Sequence, residues 1–160
     1  MNAAHVIKGI NEALLLLFPT RTVYVKAQPQ EFKRPSFAID CTAQDWTPAT
    51  RHMSIYTATV DITLFGVLDA NNQVDPHEMT KEQAEIIHML AITPIPIDDQ
   101  LVLATSVKAK GVEGDRAFIA VTAEIFVDGQ SPEGPLIQTV KIKPNQEENR
   151  NGITTSKYHI

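Results

Sequence analysis

Ala3, Val6, Ile7, Ile10, Ala13, Leu14 and Leu17 recur at three- and four-residue intervals. That spacing predicts an amphipathic helix at the start of the chain. Asn2 is a suitable N-cap, and Phe18-Pro19 closes the helix because a residue before proline avoids the α region. Leu15, Leu16 and Phe18 widen the apolar surface near its end, so that end is expected to be buried on more than one side, against a sheet or a neighbouring subunit. From Thr22 the period changes to two. Thr22 to Ala27 reads as a short strand, and Gln28 to Pro35 as a loop with prolines at both ends. Phe37, Ile39 and Cys41 alternate with Ala38, Asp40 and Thr42 to give a second strand. Asp45 to Arg51 reads as a polar connection around Trp46 and Pro48. The third strand has the sharpest pattern: Tyr56, Ala58, Val60, Ile62 and Leu64 face one way, and Thr57, Thr59, Asp61 and Thr63 the other. One buried and one polar face are expected there.

Asp69 to Asp75 is a turn-rich break. A second helix is predicted over Pro76 to Ala91, with capping-box spacing at Thr80 and Gln83 and an apolar stripe of Ala84, Ile87, Leu90 and Ala91. Pro94 and Pro96 end it. Two long strands follow, near Gln100 to Lys110 and Arg116 to Asp128. Leu101, Leu103, Thr105, Val107 and Ala109 define one face of the first; Ile119, Val121, Ala123, Ile125 and Val127 define one face of the second. Gly111 to Asp115 forms the hairpin loop between them. After a loop from Asp128 to Pro135, Leu136 to Lys143 alternates weakly, as a last strand at a sheet edge would. Residues 145–160 are polar and read as a flexible tail, or an arm that orders on a partner. The fold class expected is α+β: a mostly antiparallel mixed sheet of five to six strands, two helices packed on one face, and a flexible C-terminal tail. Residues 1–144 form the single domain and 145–160 the tail or arm.

Composition narrows the function. A chain of 160 residues is one ordinary domain, able to bury roughly two-thirds of its unfolded surface. With 14 basic and 19 acidic residues the formal net charge is −5. Nucleic-acid binders usually carry a basic stripe; the nearest approach, Lys26, Lys33 and Arg34, is interrupted by Glu31 and reads as a solvated loop. The single cysteine, Cys41, permits no intrachain disulfide. The longest apolar run, Ala13 to Phe18, is far short of the ~20 residues of a membrane span, so no membrane partner is expected. The N-terminus has no basic run ahead of an apolar one, which places the protein in a cytoplasm.

The search for reaction chemistry returns nothing convergent. The glycines form no phosphate-binding pattern, and no nucleophile elbow is present. His77 and His88 are the closest histidines, about three helical turns or ~16 Å apart, too far for one ion. Asp98 and Asp99 point to opposite faces if extended and read as a turn leading into a strand. Cys41 is in phase with Phe37 and Ile39 and reads as a small packing residue. No catalytic residue, cofactor site or metal site is expected. Asp61, a lone charge on a threonine-rich strand face, needs solvent or a partner and marks a candidate contact surface.

The segments Ile10 to Pro19, Val23-Tyr-Val-Lys26, and Gln30-Glu-Phe-Lys-Arg-Pro-Ser-Phe-Ala-Ile39 together resemble the phage tail terminator, or tail-completion, family. In that family an N-terminal helix ends in Phe-Pro, a strand follows, and a loop with Gln-x-Phe-x-x-Pro-Ser-Phe leads into long strands. Asp61 to Phe65 also fits; the segment after Pro144 has no counterpart. The resemblance implies a non-enzymatic α+β subunit of a homo-oligomeric, hexameric ring. Such a ring caps the tail tube, stops its polymerisation and offers a surface for joining the head. It implies three partners: further copies of the chain, a tail-tube protein and a head–tail connector protein. DNA would only pass through the lumen as cargo, and the subunit would reside in the virion tail after assembly in the bacterial host cytoplasm. Pro35, Ser36 and Phe37 match the motif and read as structural. If acidic side chains line the lumen, Glu113 and Asp115 in the hairpin are candidates. The competing readings are a head–tail connector or other minor tail protein, and a small-molecule binding or hydrolytic enzyme with a site built from scattered residues.

Overall fold

The computed structural model describes residues 1–26 and 28–129, and the backbone of 145–148 and 154–157. Helix α1, Ala3–Leu17, starts where Asn2 can cap it: the Asn2 side chain accepts from the backbone N–H of Ala4 and His5, and the His5 ring accepts from the Asn2 N–H. Its end is closed by Phe18, whose N–H reaches the Leu14 carbonyl at 2.9 Å. Val6, Ile7, Ile10, Ala13 and Leu14 are buried, as the spacing predicts. A Cβ at Gly9 would lie 2.2 Å from the Pro96 carbonyl oxygen, so only glycine lets the helix lie this close to the neighbouring strand. Among the described residues nothing covers the apolar end: Leu16 is 79% exposed, and Leu17 is exposed with it.

The main sheet is five-stranded, in the order β1-β2-β3-β7-β6. The strands are β1 (Thr22–Val25), β2 (Ser36–Thr50), β3 (Met53–Phe65), β6 (Ala104–Glu113) and β7 (Arg116–Asp128). β1 pairs with β2 in parallel and the other pairings are antiparallel, so the sheet is mixed. β2 is much longer than expected, because Asp45 to Thr50 continues it rather than forming a connection. The reason is a β-bulge between Cys41 and Ala43. One extra residue reverses the odd-even phase, so Gln44 and Trp46 follow Phe37, Ile39 and Cys41 on the same face. The period-two signal breaks at that point although the strand does not.

Helix α2, Pro76–Ile92, is capped by Asp75, whose side chain accepts from the His77 N–H at 2.9 Å. Thr80 is therefore not a cap; it lies inside the helix and its hydroxyl donates to the Pro76 carbonyl. The buried stripe is Met79, Gln83, Ile86 and Leu90. It is rotated from the expected one, of which Leu90 alone is fully buried. A buried glutamine in the middle of the stripe conceals its true phase.

The strand expected over Gln100 to Lys110 is two strands. β4 (Ile95–Ile97) and β5 (Gln100–Val102) form a separate two-stranded ladder around a turn at Asp98 and Asp99. Asp98 has φ +53°, and β6 begins only at Ala104. The break changes which side is inside: Val102 is buried, whereas Leu101 is 75% exposed and Leu103 is exposed too. β6 then runs to Glu113, so the hairpin turn shortens to Gly114 and Asp115, with Gly114 at φ +60°.

Both helices pack on one face of the sheet. Val6, Ile10 and Leu14 of α1, Met79, Ile86 and Leu90 of α2, and the inward residues of β2, β3 and β7 form one core. The class is α+β, as read from the chain. Residues 131–160 form a second compact unit. Within it β8 (Asn145–Glu148) pairs antiparallel with β9 (Thr154–Lys157), in a segment whose composition showed no strand signal. The strand expected over Leu136 to Lys143 lies outside the described residues.

Candidate interaction surfaces

The loop between β1 and β2 folds over the sheet face opposite the helices, at the end where β3 finishes. Phe32 packs on Phe65 with ring centroids 4.6 Å apart and meets Tyr24 edge-on at 6.4 Å. The Tyr24 hydroxyl accepts from the Lys33 N–H at 3.0 Å. The Arg34 guanidinium lies 4.9 Å from the Phe32 ring and 5.5 Å from Phe65, and it donates to the Asp115 carboxylate. Ser36 and Phe37 are fully buried, Phe37 on the helix side of the sheet. The Gln-x-Phe-x-x-Pro-Ser-Phe pattern is thus a clamp between the two faces, consistent with a structural reading of Pro35, Ser36 and Phe37.

The three acidic candidates do not converge. Asp61 sits in the middle of the bare face, where Lys110 Nζ approaches its carboxylate oxygens at 3.0 and 3.1 Å. Glu113 is exposed at the end of β6, in register with Arg116. The Asp61 row meets β7 at Ala120, four residues along, or about 13 Å away. Asp115 is held inside the subunit by Arg34 and by Arg116 at 3.4 Å. Burial pushes its carboxyl pKa up, but the Arg34 hydrogen bond and charge, with Arg116 behind them, outweigh burial and leave it below the usual value. A second clamp was not anticipated from the chain. Arg21 makes two bonds to Glu82, at 2.8 and 3.0 Å, while lying 4.1 Å from the Phe18 ring. Phe18-x-x-Arg21 and Phe32-x-Arg34 share a signal that could have found both: an arginine two or three residues after an aromatic.

Cys41 is half-buried. Burial pushes its thiol pKa up, against a lowering from a backbone hydrogen bond at Ala43 and with a smaller upward push from Asp40. That is a packing thiol rather than a poised nucleophile. Among the described residues no group of three His, Cys, Asp or Glu side chains is placed to hold a metal ion. An open groove of about 640 Å³ lies between α1 and the strand edge, lined by Ala4, Ile7, Asn11, Val25 and Cys41. Lys8, Lys26 and Asp40 also line it, with no ion pair between them among the described residues.

What the surface does present is edges and exposed apolar side chains. β1 ends at Val25 and covers β2 only as far as Ile39. Beyond that point, no described strand pairs with the outer side of β2, nor with that of β6. Near one end of the sheet Trp46 is 49% exposed and Phe126 55% exposed, on opposite faces. A domain with two open sheet edges, an uncovered apolar helix end and no convergent reactive groups among its described residues has the surface of an assembly subunit.

The chain belongs to the phage tail terminator family: the family model described as phage tail terminator protein matches residues 5–134. It is accordingly a structural protein of the phage tail. No curated protein matches the chain in sequence. One solved structure aligns with 83% of this chain and 99% of its own at 10% identity and a TM-score of 0.41, a likeness that carries no argument.

Proposed function

We propose that this tail terminator forms a closed homo-oligomeric ring, six-fold as the family resemblance implies. The ring caps the tail tube, stops its polymerisation and presents its other side to the head–tail connector. It acts without catalysis, assembles in the host cytoplasm and lets DNA pass as cargo through its lumen. The observation that carries this reading is the family match over residues 5–134 of a subunit with two unlike open edges. A closed ring needs two different surfaces per subunit, repeated by rotation. Of the two acidic residues offered for the lumen, Asp115 is already neutralised by Arg34, so Glu113 is the better candidate. The test is the mass of the protein in solution, with and without tail-tube protein, combined with tube elongation. Rings on tube ends and arrested elongation are expected. A protein that stays monomeric and leaves elongation unchanged would refute the reading.

A further inference from the structure

Helix α1 carries an apolar knob at one end and borders an apolar groove at the other. Leu16 stands 79% exposed in its last turn, with Leu17 beside it. The groove of about 640 Å³ lies along its first turns, lined by Ala4 and Ile7 of the helix and by Val25 and Cys41 of the strands. That volume falls in the roughly 300–1,000 Å³ range of binding clefts. Asn11 also lines the groove. At about 3.6 residues per turn, Leu16 lies roughly 140° around the helix from Asn11 and roughly 14 Å along it from Ile7. Knob and groove are thus on different flanks of one helix, and a copy cannot reach its own groove with its own Leu16.

The charges of the two features are opposite. Lys8 and Lys26 line the groove and have no ion-pair partner among the described residues; Asp40 is the single carboxylate with them. The knob is electronegative. The last turn of α1 contains no basic residue, so its terminal carbonyls keep the negative end of the helix dipole, about half an elementary charge. Glu12 is exposed one turn ahead of Leu16, and Arg21 beyond the helix end is already bound to Glu82.

We infer that copies of this chain join head to tail, Leu16 of one seated in the groove of the next between Ile7 and Cys41, with Lys8 and Lys26 meeting the C-terminal end of the incoming helix. This rests on the ring reading and specifies its interface. Because knob and groove are on different flanks, one neighbour cannot fill both. The copy that receives Leu16 keeps its own knob for a third. An apolar knob that fits a pocket elsewhere on an identical molecule makes a heterologous contact, which closes into a ring when the rotation allows. The groove flanks the part of β2 that β1 leaves open, so the incoming copy sits beside that edge.

The experiment uses the whole 160-residue chain, whose one cysteine lines the groove. Under mild oxidant L16C should give a ladder of covalent oligomers on a non-reducing gel. The double variant L16C/C41S, which can join only through the new thiol, should stop at dimers. Independently, L16K should raise the concentration for half-assembly by about tenfold or more, its ammonium opposing Lys8 and Lys26, and L16K/K8E should recover part of the loss. Leu16 is exposed, so L16K should keep the wild-type urea midpoint. Wild-type rings, with an L16C ladder that is absent or stops at dimers, or with L16K assembling as wild type does, would overturn this contact while the ring reading stands. Absence of wild-type assembly, alone and on tube ends, would overturn both.

Discussion

Gln83 of α2 donates its side-chain N–H to the Phe118 carbonyl of β7 at 2.8 Å, and also to the Gly111 carbonyl of β6 at 3.2 Å. It reaches both where the β6–β7 register shifts, between Ala109 and Gly111. The irregularity frees carbonyls from the ladder, and a buried amide from the helix satisfies them. Helix position and strand register are thereby keyed to one side chain. Gln83→Leu keeps the volume but leaves the two carbonyls without that donor. It should lower stability by about 1–3 kcal/mol, read from the midpoint of urea unfolding. An unchanged midpoint would show that solvent satisfies these groups.

Gly9 sets the separation of α1 from β4. An added methyl group would meet the Pro96 carbonyl oxygen at 2.2 Å and Ile95 Cγ2 at 3.0 Å, and the backbone oxygen cannot rotate away. Gly9→Ala improves helix propensity, yet it should destabilise by about 1–3 kcal/mol because the helix must lift from the strand. A rise in thermal midpoint, as propensity alone would give, would contradict the close packing.

Much of the fold was legible because long stretches obey one period. β3 and β7 alternate without interruption, and both were placed with the correct buried face. The errors fall where the period is broken by a feature with no strong one-residue signature. The bulge at Cys41 and Ala43 hid the second half of β2. The break at Leu103 reversed the apparent face of Leu101 and Leu103, which are exposed. The α2 stripe was misphased because its buried members include Gln83, whose partners are far away in sequence. The candidate site suffered the same limit. Asp61 was read as needing solvent or a partner, and Lys110 meets it across the sheet, whereas Arg34's claim on Asp115 spans 81 positions.

Asp115 makes stability depend on acid in a defined direction. Its folded pKa lies below the ordinary carboxylate value, through Arg34 and Arg116, in spite of partial burial. The stabilisation is therefore fully present above the unfolded pKa of about 3.9 and is lost as pH falls through the folded pKa. Asp115→Asn should lower stability at pH 7 and flatten the fall in stability below about pH 4 relative to wild type. Because the carboxylate is more than a third exposed, solvent screening keeps the effect modest. Urea midpoints for both proteins at neutral pH and at about pH 3 test it. Parallel decline of the two would show that Arg34 does not hold Asp115 ionised.

Trp46 offers a direct optical report on assembly. It is the chain's single tryptophan and is 49% exposed. Its ring packs 4.9 Å from Tyr56, whose hydroxyl donates to Gln44 at 2.7 Å, so the indole is anchored on one side and wet on the other. It lies on the part of β2 that β1 does not cover. When a neighbouring copy pairs along that edge, water should leave the indole and its emission should shift to shorter wavelength with protein concentration. The shift should follow the same midpoint as the mass. If mass rises while emission stays fixed, subunits associate through another surface.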